Sequence, residues 1–164
     1  MNTVYTACYK SPIGIVKITA DENSVTGLIF MDNEEAVSET GELPAVLQQC
    51  LLQLDEFFRG ERKEFTIPVS QIGTAFQQKV WNELASIPYG KTVSYLALSK
   101  RLGDVKAIRA VASGNGKNKV SILVPCHRVV GSDQSLVGYA WGNHRKQWLL
   151  QHEARYANGV QTLF

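Results

Sequence analysis

The sequence predicts an α+β fold in which a small antiparallel sheet with a covering helix precedes a mainly helical second half. Two observations predict it. Runs of β-branched and aromatic residues broken by turn residues open the chain, and apolar residues at helical spacing dominate the remainder. A chain of 164 residues with 45% hydrophobic content allows one compact core or two small ones. We place a domain boundary after residue 68, which gives predicted domains of 1–68 and 69–164.

The predicted sheet lies in residues 5–20 and 25–31, where β-branched and aromatic residues dominate. A Ser-Pro-Ile-Gly turn at 11–14 interrupts the first of these runs. Apolar residues then recur at helical spacing from Leu43 to Phe58, which predicts a helix that covers the sheet. Nothing in this half indicates catalysis.

The second half opens with a helix whose start and end are both marked in the sequence. Thr74 and Gln77 have the spacing of a capping box, and Pro88-Tyr89-Gly90 ends the apolar periodicity that follows. A last helix is predicted from about Arg145 to Tyr156.

Between these helices the sequence has the outline of a helix-turn-helix. Ser94 can cap a short helix that ends at Gly103, and Asp104 can cap a second one that runs to Ala112. Two short helices joined through one glycine are typical of nucleic-acid-binding proteins.

The most informative segment is Pro-Cys-His-Arg at 125–128, which follows the apolar run 120–124. The run predicts a strand buried on both faces, and the proline fixes the angle at which the chain leaves that strand. Inert core packing is the better interpretation for Cys8 and Cys50. For Cys126 the neighbouring imidazole and guanidinium favour a nucleophile.

Charge divides the chain more sharply than its net value of +2 indicates. Residues 1–68 hold 11 acidic and 5 basic side chains, whereas 69–164 hold 4 acidic and 12 basic ones. The stretch from Lys91 to Lys119 carries seven basic residues and the single acid Asp104. A solvated surface is the simpler explanation of such an excess, but its coincidence with the helix pair favours contacts with nucleic-acid phosphates.

Composition also excludes several classes of protein. No apolar run approaches the length of a membrane span, and the first residues lack a basic segment followed by a long apolar stretch, so a cytoplasmic protein is expected. Three widely spaced cysteines form no disulfide framework. All three histidines lie in the second half, so no four-ligand zinc site is expected, and we predict neither metal nor cofactor.

The Pro-Cys-His-Arg segment resembles the active-site signature of the O6-alkylguanine-DNA alkyltransferases. The resemblance extends to the segments FQQKVWNELASIPYGKTVSY at 76–95, KAIRAV at 106–111 and GYAWGNHRKQWLLQHE at 138–153, and to Asn118. These matches run through nearly all of the second half in the order of the family. The resemblance implies a ribonuclease H-like first domain and a winged-helix-like second domain.

The family resemblance also implies a reaction. An alkyl group would pass irreversibly from O6-alkylguanine, and from O4-alkylthymine, in double-stranded DNA to Cys126, on a base flipped out of the helix. A thioether has no carbonyl for water to attack, so each molecule would react once. The protein would act as a monomer, with cooperative binding to DNA left open. Two alternatives are a related protein that recognises damage without transfer and a cysteine hydrolase.

By the same resemblance, Glu153 orients His127, which acts as a base on Cys126 through a water molecule. Neighbouring side chains on an extended segment point apart, so a direct bond between His127 and Cys126 is unfavourable. Tyr95 would crowd the 3′ phosphate and donate a proton to the leaving guanine. Without the resemblance, Glu153 would be interpreted as a surface carboxylate.

The remaining implied roles concern DNA, the base pocket and structural support. Arg109 would intercalate where the base has left, on a slender helix whose small residues favour close packing just as well. Family members often have Ser or Gly where this chain has Ala140 and Trp141, so we expect Trp141 to narrow access for benzyl-type substrates. The predicted set comprises, for DNA, Tyr95, Arg109, Ala110 and Ser113; for the pocket, Val129, Tyr139, the backbone NH of Ala140, Trp141, and Lys146 near the rim; and for structure, a turn-fastening Asn118 and an ion-paired Arg128.

Overall fold

The computed structural model describes residues 3–32, 41–136 and 138–158. Contacts within the chain divide it into two compact units, of which the first comprises Met1–Gln71 with Lys119–Leu123 and the second comprises Ile72–Asn118 with Val124–Phe164. In the described ranges no helix is both long and apolar enough to cross a membrane.

The first unit is built on an antiparallel sheet of three strands in the order β1 (Tyr5–Ser11), β2 (Gly14–Ala20) and β3 (Val25–Met31). Helix α1 (Ala45–Phe58) contacts all three strands, as its apolar spacing predicted. The apolar sets of sheet and helix meet in a core because each element is apolar on one side. The α+β class is therefore confirmed. Buried core residues include Ala7, Val16, Ile18, Leu28, Leu47, Leu54 and Phe57.

The predicted strand at 120–124 is wrong, although its side chains are as buried as expected. Val120 pairs with Leu28 only in an isolated bridge. The chain then turns, and Ile122 adopts a φ of 70°, an uncommon and strained conformation for a β-branched residue. A short apolar run reports burial and does not by itself distinguish a strand from a buried turn.

The second unit begins with α2 (Ala75–Ala85), whose capping box is present as predicted. The Thr74 hydroxyl accepts from the Gln77 backbone N–H at 3.1 Å, and the Gln77 side chain accepts from the Thr74 N–H at 3.0 Å. These bonds satisfy backbone donors that a helix start would otherwise leave free.

The helix pair also forms with the predicted caps. Ser94 caps α3 (Tyr95–Arg101), and Asp104 caps a single 3₁₀ turn that leads directly into α4 (Ile108–Gly116). Gly103 between them has a φ of 88°, a conformation that favours glycine. The last helix, α5, spans Asn143–Asn158.

Two further features fix this unit. Strands β4 (Val93–Ser94) and β5 (Val129–Val130) form a two-residue parallel pair, too short to leave a pattern in the sequence. Helices α2 and α4 pack closely at Gly114, whose carbonyl accepts from Trp81 Nε1 at 3.0 Å. A Cβ atom at Gly114 would lie 3.2 Å from a methyl group of Val80, so the small residue serves this packing.

Thr74→Ala should lower the free energy of unfolding by about 1 kcal/mol, because it removes one bond of the capping box while leaving the helix sequence intact. Urea denaturation followed by circular dichroism measures this change. Thr74→Ser keeps the hydroxyl and should retain most of the stability. Equal losses in the two variants would contradict the capping assignment.

Candidate active site

Cys126 opens a 3₁₀ turn, Cys126–Arg128, that follows Pro125. Cys126 is only 2% exposed, and its backbone N–H donates to Val124 O at 2.8 Å. The expected extended segment at Cys126 and His127 is therefore wrong. A turn of three residues still separates neighbouring side chains by about 120°, so Cys126 and His127 point in different directions.

Asn118 fastens the approach to this turn. Its side chain is buried, and Nδ2 donates to Val124 O at 2.8 Å. This is a bond from side chain to backbone of the kind that the sequence predicted. Asn118 also hydrogen-bonds with Cys126, so one amide links the backbone of the turn to the reactive residue.

The Cys126 thiol is protonated at neutral pH. Burial raises its pKa to about 11, against the lowering effects of the Asn118 hydrogen bond and the Lys146 charge. A thiol must become a thiolate to attack carbon, so a base has to accept its proton.

Glu153 lies on α5 with its carboxylate buried, not at the surface as its sequence context alone indicates. Burial by itself would raise the pKa of Glu153, but His127 and Arg128 lower it to about 2. The carboxylate is therefore ionised. It accepts from His127 Nε2 at 2.6 Å, Arg128 Nε at 2.8 Å, Arg128 Nη2 at 3.0 Å and Gly90 N at 3.2 Å.

The ionised carboxylate determines the tautomer of His127. Burial lowers the pKa of His127, and Arg128 and Lys146 act in the same direction against Glu153, so we assign a neutral ring. A carboxylate only accepts hydrogen bonds, which places the proton on Nε2 and the lone pair on Nδ1. Nδ1 is buried and has no hydrogen-bond partner among the described residues. It is thus available to accept a proton.

Arg128 makes the buried ion pair that the sequence predicted. It also donates from Nη1 to Ile87 O at 2.6 Å, and its guanidinium lies 5.7 Å from the centre of the Tyr89 ring. Together with the bond from Gly90 N to Glu153, these contacts fix the loop after α2 against the site. Arg128 thus supplies a buried counter-charge that, together with His127, keeps Glu153 ionised.

Tyr95 begins α3 and is half-buried. Burial raises its pKa, the charge of Cys126 raises it further, and a hydrogen bond with Asn115 lowers it. A Cβ atom at Gly138 would lie 2.9 Å from Tyr95 Oη, and Gly138 has a φ of 75°. A side chain at that position would be both strained and in collision with the hydroxyl.

The side chain of Lys146, which was predicted near the pocket rim, is fully buried. Its Nζ donates to Val129 O at 2.5 Å and lies 5.9 Å from the centre of the Tyr95 ring. Burial lowers the pKa of Lys146 to about 8, against the raising effect of Cys126. The ammonium is therefore mostly charged at neutral pH and acts on both Tyr95 and Cys126.

The predicted pocket residues Tyr139, Ala140 and Trp141 lie on the loop before α5, in which Val137 is outside the described residues, whereas Val129 is buried on β5. Tyr139 is buried and meets the partly exposed Trp141 edge to face, with ring centres 5.6 Å apart. Ala140 is exposed between them. Tyr139 and Trp141 thus form an aromatic pair on this loop.

Helix α4 presents two different faces. The predicted DNA-contacting residues Arg109, Ala110 and Ser113 are exposed, whereas Val111, Gly114 and Asn115 are buried. Asn115 was not among the predicted residues, although its Nδ2 lies 3.4 Å from the backbone oxygen of Cys126. Its place four residues after the buried Val111 was the available signal.

Both halves of the chain match protein families. The 6-O-methylguanine DNA methyltransferase DNA-binding domain matches residues 75–155, and the ribonuclease-like domain of the same name matches residues 4–71. The chain is 40% identical to the methylated-DNA–protein-cysteine methyltransferase of Mycolicibacterium paratuberculosis, over 94% of each protein.

Solved structures agree with these matches. The crystal structure of Mycobacterium tuberculosis O6-methylguanine methyltransferase superposes with a TM-score of 0.84 at 36% identity, over 99% of each chain. A structure of Mycobacterium tuberculosis OGT in complex with DNA gives a TM-score of 0.82 at 37% identity, over 91% of this chain and 92% of that one.

Glu153→Gln should destabilise the protein by about 3 kcal/mol at pH 7, because it leaves Arg128 buried without a counter-charge. The carboxylate has a pKa of about 2 in the folded protein against an ordinary 4.5. Its contribution to the free energy of unfolding is therefore complete above pH 4.5 and is lost as the pH falls towards 2. The stability difference between wild type and variant should therefore shrink below pH 4.5.

Urea denaturation from pH 7 down to pH 3 measures that difference. Glu83→Gln on α2 is a matched control, since it makes the same change at a partly exposed site. A difference for Glu153→Gln that stays constant with pH would contradict an ionised, ion-paired carboxylate.

Proposed function

Because this chain belongs to the 6-O-methylguanine DNA methyltransferase family, we propose that it repairs DNA by transferring the alkyl group of O6-alkylguanine irreversibly to Cys126. One observation in the structure carries the assignment of residues: a buried thiol follows Pro125, beside a histidine whose free nitrogen is set by a buried carboxylate. We extend the substrates to O4-alkylthymine. We further propose that it acts as a monomer in the cytoplasm. Its three free cysteines are usual for a reducing compartment.

Activation of the thiol is the first step. The proton on Cys126 Sγ passes to Nδ1 of His127 through a water molecule, because the two side chains leave the turn in different directions. Glu153 stabilises the resulting imidazolium, while Lys146 stabilises the thiolate. Neither group has to move, since both are already fixed by hydrogen bonds.

The thiolate then attacks the alkyl carbon. The Sγ–C bond forms as the O6–C bond breaks, and the electron pair of the broken bond goes to the guanine. Tyr95 donates its proton to that guanine, and the imidazolium of His127 returns a proton to the phenolate through solvent. Lys146, beside the Tyr95 ring, stabilises the phenolate until that proton arrives. The net change moves the thiol proton to guanine and leaves a thioether on Cys126.

DNA binds the exposed face of α4, where Arg109, Ala110 and Ser113 lie. The excess of basic residues around the helix pair supports this placement, since phosphate contacts supply most of the affinity of DNA-binding proteins. Arg109 occupies the space that the flipped nucleotide leaves, and its planar cation stacks on the neighbouring bases.

Incubation with a duplex oligonucleotide that contains O6-methylguanine should add one methyl group to the intact protein, as measured by mass spectrometry. Cys126→Ser should abolish the addition, because a hydroxyl is too weak an acid to form the nucleophile here. Cys8→Ser, which removes a partly exposed thiol, should leave it unchanged. Binding without any mass change would contradict transfer and indicate damage recognition alone.

Trp141→Gly should raise the rate of reaction with O6-benzylguanine about tenfold relative to O6-methylguanine, because it removes a bulky ring beside Tyr139. Inactivation rates with the two substrates measure the ratio. The methyl substrate in the same variant serves as the control for folding and thiol reactivity. A ratio that equals the wild-type value would show that Trp141 does not narrow the pocket.

A further inference from the structure

Asn115 is a buried polar residue beside the reacting groups, with no role in the mechanism described so far. It lies at the end of α4 and is only 2% exposed. Its Nδ2 donates to the backbone oxygen of Cys126 at 3.4 Å, and its side chain also hydrogen-bonds with Tyr95. One amide thus contacts both the nucleophilic residue and the group that protonates the leaving guanine.

The surroundings of Asn115 fix which end of its amide faces these groups. The carbonyl of Cys126 can only accept a hydrogen bond, so it selects the orientation in which Nδ2 points towards it. Oδ1 is buried and has no hydrogen-bond partner among the described residues. A residue that served packing alone would not retain a buried oxygen of this kind, which is costly to leave unpaired.

The same orientation decides the effect of Asn115 on Tyr95. An amide N–H that donates to Oη favours the phenolate, whereas an amide oxygen at that point would favour the phenol. The hydrogen bond with Asn115 lowers the pKa of Tyr95 against burial and the charge of Cys126. The Tyr95 phenol must lose its proton while the Cys126 thiolate reacts nearby, and the two negative charges repel each other. A hydrogen-bond donor to Oη offsets this repulsion.

We propose that Asn115 is a positioning residue for the departure of guanine: its amide N–H groups bridge the Cys126 carbonyl and the Tyr95 hydroxyl, and so hold the phenol ready to give up its proton. This role rests on the proposed alkyl transfer. It acts through Tyr95 and leaves the nucleophilicity of the thiol unchanged.

Asn115→Leu preserves the approximate volume of the side chain and removes both N–H donors. The rate of methyl transfer from duplex O6-methylguanine should fall about tenfold, the effect expected for one hydrogen bond to a developing charge. Tyr95→Phe should lower the rate about a hundredfold, and the double variant should be no slower than Tyr95→Phe alone. Asn82→Leu, at an exposed position of α2, should react at the wild-type rate.

Labelling of Cys126 with iodoacetamide separates this role from damage to the site, because iodide leaves without protonation by Tyr95. Asn115→Leu should be labelled within about twofold of the wild-type rate. A parallel loss of labelling, a further tenfold loss in the double variant, or transfer at the wild-type rate would each overturn the proposal. Failure of the alkyl transfer itself would be distinct, since the wild-type protein would then gain no methyl group.

Discussion

The buried carboxylate of Glu153 is the group on which the rest of the site depends. An ionised carboxylate in the interior loses its hydration and is stable only when donors replace the lost water. Here His127, Arg128 and the backbone of Gly90 supply those donors from separate segments of the second unit. The guanidinium of Arg128 is the buried counter-charge, and the ionised carboxylate remains an acceptor towards His127.

The protonation states of His127, Lys146 and Cys126 complete the electrostatics of the site. Burial keeps His127 neutral against the raising effect of Glu153 on its pKa, and the buried ammonium of Lys146 acts on Cys126 and Tyr95. The thiol remains protonated at rest, with a pKa of about 11. For a protein that can react only once, this protection matters, since oxidation attacks exposed thiolates first. His127 and Lys146 act on the thiol only when an alkyl carbon is in place.

The sequence allowed prediction wherever the determinant is local. Thr74, Ser94 and Asp104 cap helices through bonds to residues two or three positions away, and all three caps are present. The strand predicted at 120–124 was wrong because apolar residues indicate burial, whereas the turn at Ile122 depends on how the chain packs. The pattern that identified Cys126 and His127 is likewise local.

The burial of the charged groups could not be predicted from the local sequence. Lys146 and Glu153 stand on a helix rich in polar residues, and what buries them is contact with segments far away in sequence, such as Val129 and Gly90. Asn115 escaped notice for the same reason, since its partners Cys126 and Tyr95 lie on other elements. Family resemblance named Glu153, but only the structure explains why it must be ionised.

Glu153 holds His127 as a neutral ring with the proton on Nε2. Long-range proton–nitrogen NMR of the histidine side chains, compared between wild type and His127→Gln for assignment, measures this directly. At pH 7 we expect a protonated Nε2 and an unprotonated Nδ1 for His127, and the same state should persist when the pH is lowered to the ordinary histidine pKa of 6.5. A doubly protonated ring, or a proton on Nδ1 with a bare Nε2, would contradict this role of Glu153.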